Sequence, residues 1–406
     1  MKAVGLIVEY NPFHNGHRYH VNQSKLQNDA EVVIAVMSGS FLQRGEPALV
    51  SKWTRAAMAL KSGVDLVIEL PYIYSTQHAE HFAFGAVTLL EALHCDTFCF
   101  GSENGSIESF FTKYEQMTKH AEQIDETIRI FTKKGNNYPK SVSLALEHLG
   151  LQKDGDLDLT KPNNILGYQY VRTALKHNYR IQPTLINRIA AEYHDTQLPE
   201  GSIASATSIR KALFETDEQT NATKSFMPTY TYNELKNYVQ TYDTLHQWEN
   251  YWSLLQYKLI SSSEEELEKI YEVEEGIQHR MKEAALVCST FAEFIMKVKT
   301  KRYTLTRLQR ICVHILTNAK KEQIKRCLTE PAYLRVLGFT EKGRKYLNEK
   351  KKRVELPLIS RIANIQHEAL NFDIQASIIH ALALPPKAQT AMIQREYQQP
   401  IIFKDV

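Results

Sequence analysis

The chain has 406 residues, enough for two or three domains, and its 43% hydrophobic and 23% charged residues are ordinary for a soluble globular protein. It has no uncharged apolar run of about 18 residues and no secretion-signal pattern, so we expect a cytoplasmic protein without a membrane span, and its five scattered cysteines argue against disulfides or a zinc knuckle. The net charge of +3 is uneven: residues 297–353 carry 18 Lys and Arg against 4 Asp and Glu, an excess of +14, whereas the rest of the chain has 31 against 42, or −11.

In chain order, the first half of the sequence alternates strands and helices. Apolar runs predict strands at residues 3–8, 31–37, 65–70, 96–100 and 181–186. Amphipathic spacing predicts helices at residues 16–27, 50–62 and 78–93, and mainly helical structure at residues 107–150. This alternation is typical of an α/β fold with a Rossmann-like, doubly wound parallel sheet, in which ligands bind beyond the carboxyl ends of the strands.

A histidine motif, His14-Asn15-Gly16-His17, follows the first predicted strand and opens the first predicted helix. A helix N-terminus attracts anions through its free N–H groups and positive dipole end, and two histidines there add donors to a phosphate. Gly16 allows the backbone to come close to a ligand. The alternatives are a solvated or packed histidine pair, or a zinc site with His20, although no matching Cys/His or H-E-x-x-H pattern accompanies the motif.

A second anion site is predicted where residues 203–210 lead into a helix. The hydroxyls of Thr207 and Ser208 would cap that helix, and Arg210 lies one turn in. Alone, such a cluster is usually only a helix cap. The asparagines of residues 162–170 can likewise be read either as a helix cap or as part of a binding site. The sequence lacks both G-x-x-x-x-G-K-[ST] and G-x-G-x-x-G, so it does not support assignment to the P-loop kinases or to the dinucleotide-dependent oxidoreductases.

From about residue 221 the sequence has almost no strand signal. We therefore predict a catalytic α/β domain over residues 1–220 and an all-α domain over residues 221–406, which contains the basic segment. A basic excess of this size indicates a polyanionic partner, and a solvated basic helix face is the alternative. Lys and Arg interleaved with tyrosine suit phosphate contacts and base stacking in RNA. The candidate RNA-binding residues are Lys299, Lys301, Arg302, Tyr303, Arg307 and Arg310.

Taken together, H-x-G-H after the first strand and T-S-x-R late in the same predicted sheet resemble the nucleotidyltransferase superfamily related to class I aminoacyl-tRNA synthetases. Longer segments are similar to one family, the bacterial tRNA(Met) cytidine acetate ligases. ASATSIR stands where the synthetases have a lysine-containing motif. The segments that carry the resemblance are GLIVEYNPFHNGH, AVMSGSFLQRGEPA, DLVIELP, FGSENG, KPNNILGYQY and KTKRYTLTRLQR, from residue 5 to about residue 310, and PLISRIANI at residues 357–365.

The resemblance implies an ATP-dependent ligase that forms AMP and pyrophosphate, with ATP as substrate and Mg²⁺ beside it. Acetate would be activated as acetyl-adenylate and transferred to the exocyclic amine of the wobble cytidine of elongator tRNA(Met). No membrane and no obligate protein partner are implied. The implied catalytic residues are His14, His17, Thr207, Ser208 and Arg210. The implied ATP-binding residues are Ile7, Val8, Glu9, Tyr10, Asn11, Pro12, Phe13, His14, Asn15, Gly16, His17, Arg18, Tyr19, His20, Gly101, one of Asn163 and Asn164, and Arg188.

Two other functions stay open from the sequence. One is a small-molecule nucleotidyltransferase that joins a nucleotide to a phosphate-bearing metabolite, such as a pantetheine or nicotinamide mononucleotide. The basic second half speaks against it, because a metabolite enzyme does not need that charge. The other is a non-catalytic RNA-binding protein, which the intact His14/His17 and Thr207/Arg210 pairs disfavour.

Overall fold

A computed structural model describes residues 1–152, 157–187, 203–215, 221–362 and 365–404. Among these residues, eight strands form a single sheet. The strands are β1 (Ala3–Val8), β2 (Val32–Ser38), β3 (Leu66–Leu70), β4 (Thr97–Ser102), β5 (Gln182–Asn187), β6 (Leu334–Thr340), β7 (Leu358–Ile359) and β8 (Ile401–Phe403).

Helices surround this sheet and form most of the second half of the chain. They are α1 (Asn15–Gln27), α2 (Lys52–Leu60), α3 (Tyr72–Ser75), α4 (Ala79–Ala92), α5 (Ile107–Lys119), α6 (Ala121–Lys133), α7 (Tyr138–His148), α8 (Pro162–Lys176), α9 (Ala206–Glu215), α10 (Thr229–Tyr242), α11 (Trp252–Ser261), α12 (Glu264–Glu268), α13 (Ile277–Ala285), α14 (Phe291–Val298), α15 (Leu305–Leu316), α16 (Lys321–Cys327), α17 (Glu341–Lys350), α18 (Glu368–Ala381) and α19 (Pro386–Arg395), with two 3₁₀ helices, Asn221–Phe226 and Trp248–Tyr251. None of the described helices combines the length and the apolar content needed to cross a membrane.

The strand order is β5-β4-β1-β2-β3-β6-β7, and β8 pairs with β6. Strands β1 to β5 run parallel, so the predicted α/β class with a parallel sheet is confirmed. The chain passes from β1 through β2 to β3 on one side and then returns to β4 on the other side of β1. Neighbouring connections therefore diverge between β1 and β4, and a crevice forms beyond their carboxyl ends.

Burial on both faces explains why the central strands have continuous apolar sequences. In β2, Ile34 and Val36 belong to the core on one face of the sheet, whereas Val33, Ala35 and Met37 belong to the core on the other. A parallel strand covered by helices on both faces needs apolar side chains at successive positions, rather than at alternate ones.

The second half of the chain is not all helical, so that part of the prediction is wrong. Strand β6 pairs antiparallel with β3, and β7 and β8 run parallel to β6. The apolar run of β6 contains Arg335, which lies opposite Glu69 of β3. Both halves of the chain therefore contribute strands to one sheet.

A buried group of charges stabilises the junction between β3 and β6. The Lys52 Nζ lies 2.8 Å from the Glu69 carboxylate and 2.6 Å from that of Glu396. The Arg335 guanidinium contacts the same two carboxylates at 3.2 and 2.9 Å. Each cation therefore has two anionic partners, which compensates the cost of removing these charges from water.

Candidate active site

The turn after β1 places two histidines at the start of α1. His14 precedes the helix, and its Nδ1 accepts a hydrogen bond from the Gly16 N–H at 3.1 Å. The Nδ1 of His17 accepts one from the His14 N–H at 3.3 Å. The two rings stack with their centroids 3.7 Å apart. A Cβ at Gly16 would lie 2.9 Å from the His14 ring, so a glycine is needed here to accommodate the histidine.

These contacts determine the hydrogen-bonding roles of both imidazoles. Because Nδ1 is an acceptor in His14 and in His17, the proton of each neutral ring lies on Nε2. Both residues line a pocket at the carboxyl ends of β1 and β4. The helix N-terminus and the two rings can therefore donate hydrogen bonds to an anion in this pocket.

Two arginines hold the backbone that leads from β1 to the histidines. Tyr10 has a φ of +51°, in the left-handed region that is unfavourable for a bulky residue. On one side of it, the Arg55 Nη1 donates to the Glu9 carbonyl at 2.7 Å. On the other side, the Arg210 Nη1 donates to the Asn11 carbonyl at 2.9 Å. The unfavourable turn is thus stabilised from both sides.

The second predicted anion site lies at the start of α9 and lines the same pocket. Thr207 and Arg210 line the pocket. The Ser208 side chain does not belong to the pocket wall. It is buried, its hydroxyl donates to the Ser205 carbonyl at 2.9 Å, and its N–H donates to the Ser205 hydroxyl at 3.1 Å. This geometry assigns Ser208 to the helix start and Thr207 to the pocket.

A loop between β2 and α2 adds charged pocket residues that the sequence prediction missed, namely Arg44 and Glu46 together with Gln43. The Glu46 carboxylate accepts a hydrogen bond from the Arg210 Nη2 at 2.9 Å. The Gln43 N–H donates to the Glu9 carboxylate at 2.8 Å. Burial raises the pKa of Glu9, the Gln43 hydrogen bond opposes that shift, and the charge of Glu46 adds to it. The signal for this loop was the charged sequence Gln-Arg-Gly-Glu between two buried elements.

The two candidate asparagines of α8 have different surroundings. Asn164 is fully buried, and its Oδ1 accepts hydrogen bonds from the Ser102 hydroxyl at 2.8 Å and the Glu103 N–H at 3.1 Å. Asn163 lines the pocket, and its Nδ2 donates to the Glu103 carboxylate at 2.5 Å. Asn164 therefore orders the end of β4, and Asn163 is the asparagine that a nucleotide can reach.

The pocket collects most of the predicted ATP-binding residues, although their contact with ATP stays a prediction. Its wall includes Ile7, Val8, Glu9, Tyr10, Asn11, His14, Gly16, His17, Tyr19, His20, Gly101 and Asn163. The predicted residues that are not part of this wall are Pro12, Phe13, Asn15, Arg18 and Asn164. Arg188 lies outside the described residues.

No group of three or more His, Cys, Asp or Glu side chains arranged to hold a metal ion occurs within the described ranges. Glu9 and Glu46 are the two carboxylates in the wall of the pocket. Two carboxylates suit Mg²⁺ that takes its other ligands from phosphate oxygens and water, as is usual for nucleotide-bound magnesium.

The basic segment around residue 300 is partly exposed and partly engaged inside the protein. Lys299, Lys301 and Arg302 are exposed. Tyr303 is only 4% exposed, and its hydroxyl donates to the Glu274 carbonyl at 2.6 Å, so this burial is contrary to its predicted use in base stacking.

An acidic loop pairs with the three arginines of the same segment. Glu275 contacts Arg302 at 3.5 Å, Glu274 contacts Arg307 at 2.9 Å, and Glu272 contacts Arg310 at 2.9 Å. Only the Arg310 side chain is largely buried, at 10% exposure. The described geometry therefore makes Arg310 an internal anchor and leaves the neighbouring lysines accessible to a ligand.

Comparisons with known proteins match this architecture over the whole chain. Residues 1–396 match the family model described as HIGH Nucleotidyl Transferase. A protein of Geobacillus sp. (strain WCH70) named tRNA(Met) cytidine acetate ligase is 47% identical over 405 residues, covering 100% of both chains. A protein of Bacillus subtilis (strain 168) with the same name is 47% identical over 401 residues, covering 98% of this chain and 96% of that protein. The crystal structure of Thermotoga maritima TmcAL bound with alpha-thio ATP has a TM-score of 0.91 and 30% identity, with 100% of both chains covered. The chain therefore belongs to the HIGH nucleotidyl transferase family and, within it, to the tRNA(Met) cytidine acetate ligases.

Proposed function

We propose that this protein is an ATP-dependent ligase that activates acetate as acetyl-adenylate and transfers the acetyl group to the wobble cytidine of elongator tRNA(Met). The observation that carries the proposal is a pocket lined by groups from two distant segments of the chain that can donate hydrogen bonds to phosphate. His14 and His17 come from the start of α1, and Thr207 and Arg210 come from α9. The names of the relatives and the alpha-thio ATP bound to the Thermotoga maritima protein support the same conclusion.

In the first step, an acetate oxygen attacks the α-phosphorus of ATP. A bond forms between acetate and phosphorus, the bond from phosphorus to the α,β-bridging oxygen breaks, and pyrophosphate leaves. The protein contributes position and charge stabilisation to this in-line displacement and needs no covalent nucleophile. The Nε2–H groups of His14 and His17 donate to the phosphates, and the Arg210 guanidinium compensates the charge that develops there.

In the second step, the exocyclic amine of cytidine attacks the acetyl carbon. The bond between that carbon and the AMP oxygen breaks, AMP leaves, and the amine loses one proton as the amide forms. The base must therefore come within bonding distance of the acyl-phosphate, inside the same pocket. Glu9 or Glu46 would hold a Mg²⁺ ion that accompanies ATP, and such an ion would supply charge neutralisation at the phosphates.

The RNA in this proposal is held by the basic segment of the second half. Lys299, Lys301 and Arg302 offer exposed charges, and Arg307 stacks over the Tyr303 ring at 4.5 Å. Tyr303 thus positions Arg307. Residues 1–220 supply the nucleotide pocket, and residues 221–406 supply the RNA-binding surface and complete the sheet.

The test is to incubate the protein with ATP and labelled acetate, with and without bulk tRNA. The expected result is label in an acid-stable acetylated nucleoside only when tRNA is present, together with formation of AMP and pyrophosphate. Failure to transfer any acyl group to RNA, with any small acid, overturns the proposal. Transfer of a nucleotide to a phosphate-bearing metabolite would indicate a small-molecule nucleotidyltransferase instead.

A further inference from the structure

The loop between α6 and α7 lies beside the exposed basic segment and forms a groove with it. One wall consists of residues 135–137 and Lys140, and the other consists of residues 299–301 and 303–305. The Asn137 Nδ2 donates to the Lys301 carbonyl at 3.4 Å and joins the two walls. We call this feature the hairpin groove.

Both walls of the hairpin groove are positively charged. Residues 133–140 contain three lysines and no acidic residue, and residues 297–302 contain three lysines and one arginine, again without an acidic residue. Lys140, Lys299 and Lys301 are exposed. In the described part of the chain, none of these three has a carboxylate within 4.0 Å. Their charges are therefore available to an anionic ligand that lies between the walls.

Tyr138 places a large aromatic ring next to this groove. It is not itself part of the groove wall, but in the sequence it stands between the wall residues Asn137 and Lys140, and 66% of it is exposed. A ring of this size and exposure has no packing role in the protein core. Exposed aromatic rings beside basic grooves are the surfaces on which single-stranded nucleic acids stack their bases.

The surroundings of Tyr138 include an ion pair between two helices that also line the nucleotide pocket. Partial shielding from water by neighbouring groups raises the pKa of Tyr138 although most of its surface is exposed, and the charge of Glu80 adds to that shift. Glu80, in the first turn of α4, forms an ion pair with Arg172 of α8 at 2.7 Å. The same two helices supply Phe82 and Asn163 to the wall of the pocket. The Tyr138 hydroxyl is therefore close enough to the ion pair of α4 and α8 to respond to its charges.

We propose that the hairpin groove binds a single-stranded segment of RNA. Lys140 contacts its phosphates from one wall and Lys299 and Lys301 contact them from the other, while Tyr138 stacks on an unpaired base beside the pocket. Single-stranded RNA is favoured over a duplex because only an unstacked base presents a free face to a tyrosine. The inference rests on the proposed function, since an anticodon loop supplies such a segment.

The proposed stacking of a base on the Tyr138 ring is tested by measuring the affinity for unmodified tRNA(Met). The variant is Tyr138→Ala, and Tyr138→Phe is the matched control. We expect Tyr138→Ala to weaken binding by about 5- to 150-fold without changing the slope of log affinity against log salt concentration. Tyr138→Phe keeps the ring and should bind like the wild type. Equal affinities of the alanine variant and the wild type would contradict stacking.

The proposed phosphate contact of Lys140 is tested with Lys140→Gln, and Lys176→Gln is the control. Lys176 is exposed at the C-terminal end of α8, which leads to the start of β5, whereas the pocket lies at the carboxyl ends of the strands. We expect Lys140→Gln to reduce the salt slope by about 0.7 and the affinity by about fourfold at roughly 0.15 M salt, and Lys176→Gln to change neither. An unchanged slope in the Lys140 variant removes the hairpin from the RNA-binding surface.

Two further measurements separate this inference from the proposed function. Acetate-dependent exchange of pyrophosphate into ATP without tRNA should be the same in the wild type and all four variants, which also shows that they are folded. If the wild type transfers acetyl groups but the Tyr138 and Lys140 variants bind tRNA normally, the proposed RNA binding by the hairpin groove is wrong and the proposed ligase function is supported. If the variants lose RNA affinity as expected but the wild type transfers no acetyl group, RNA binding by the hairpin groove is supported and the proposed ligase function is wrong.

Discussion

Two adjacent hydroxyls at the start of α9 provide a direct test of the site. Thr207 lines the pocket, whereas the Ser208 hydroxyl is buried and donates to the Ser205 carbonyl at 2.9 Å. We therefore expect Thr207→Ala to impair catalysis with little effect on stability, and Ser208→Ala to reduce stability with little effect on catalysis.

The magnitudes follow from the partners of each hydroxyl. Thr207 would donate to a charged phosphate, and one hydrogen bond to a charged group contributes about 1.5–3 kcal/mol, or roughly 10- to 150-fold in rate. Ser208 donates to a neutral carbonyl that also accepts from the Ile209 N–H at 3.1 Å, so no acceptor is left without a donor in the variant. Its loss should cost about 1 kcal/mol and lower the melting temperature by about 1 °C.

The assay is acetate-dependent release of pyrophosphate at saturating tRNA, combined with thermal unfolding of each variant. Thr207→Ser is the matched control, because it keeps the hydroxyl and should retain most of the activity. The reasoning is refuted if Ser208→Ala loses as much activity as Thr207→Ala at an unchanged melting temperature. It is also refuted if Thr207→Ala is fully active.

Three further predictions concern the histidines, the loop after β2 and the buried charges. His17→Ala should abolish acetate-dependent ATP consumption and leave the affinity for tRNA nearly intact; equal loss of both would contradict separate sites for ATP and RNA. Gly39→Ala places a Cβ 2.6 Å from the Glu69 Oε1, so denaturant unfolding should show a loss of about 1–3 kcal/mol, and an unchanged midpoint would disprove this steric conflict. Burial raises the pKa of Asp373 to about 7, with Glu69 adding to the shift and Arg335 opposing it. Because the folded pKa is above the unfolded one, the protonated Asp373 contributes its full stability below the unfolded pKa, and this contribution is lost as the pH rises through the folded pKa. Between about pH 4 and 7 the free energy of unfolding of Asp373→Asn should therefore rise relative to that of the wild type, and parallel pH profiles would exclude this role.

The strands of the first half could be predicted because their local sequence reports their burial. Five apolar runs predicted the five parallel strands. Four of these strands are largely buried, whereas β5, at the edge of the sheet, is partly buried. Strand β6 was missed for a physical reason. Arg335 interrupts its apolar run, and the Glu69 and Glu396 carboxylates that make a buried arginine acceptable come from distant parts of the chain. Nothing in the local sequence around residue 335 shows that compensation.

The candidate site likewise contains residues that the sequence could predict and residues that it could not. His14, His17, Thr207 and Arg210 belong to local motifs and all line the pocket. The sequence could not distinguish Thr207 from Ser208, or Asn163 from Asn164, because one residue along a helix rotates a side chain by about 100° and only the packing determines which one faces a ligand.

The loop with Arg44 and Glu46 was missed because distant elements position it. The Trp248 Nε1–H donates to the Gly45 carbonyl at 3.0 Å, and Gly45 lies against the backbone of Arg310 so closely that a Cβ would overlap it. Arg310 belongs to α15, which lies within the basic segment. The helices of the second half therefore shape the nucleotide pocket as well as the proposed RNA surface.

Arg210 connects the two sides of the pocket in a way that its position in the motif does not reveal. Its Nη1 donates to the Asn11 carbonyl, next to the left-handed Tyr10, and its Nη2 donates to Glu46. A left-handed conformation of a bulky residue costs about 1–2 kcal/mol, so the turn persists because its neighbouring carbonyls receive strong donors. The turn in turn fixes where α1 begins and where the His14 and His17 rings lie. One guanidinium thus holds both the turn before α1 and the Glu46 carboxylate, and a lysine could not hold both in this way, because it lacks the planar fork of donors.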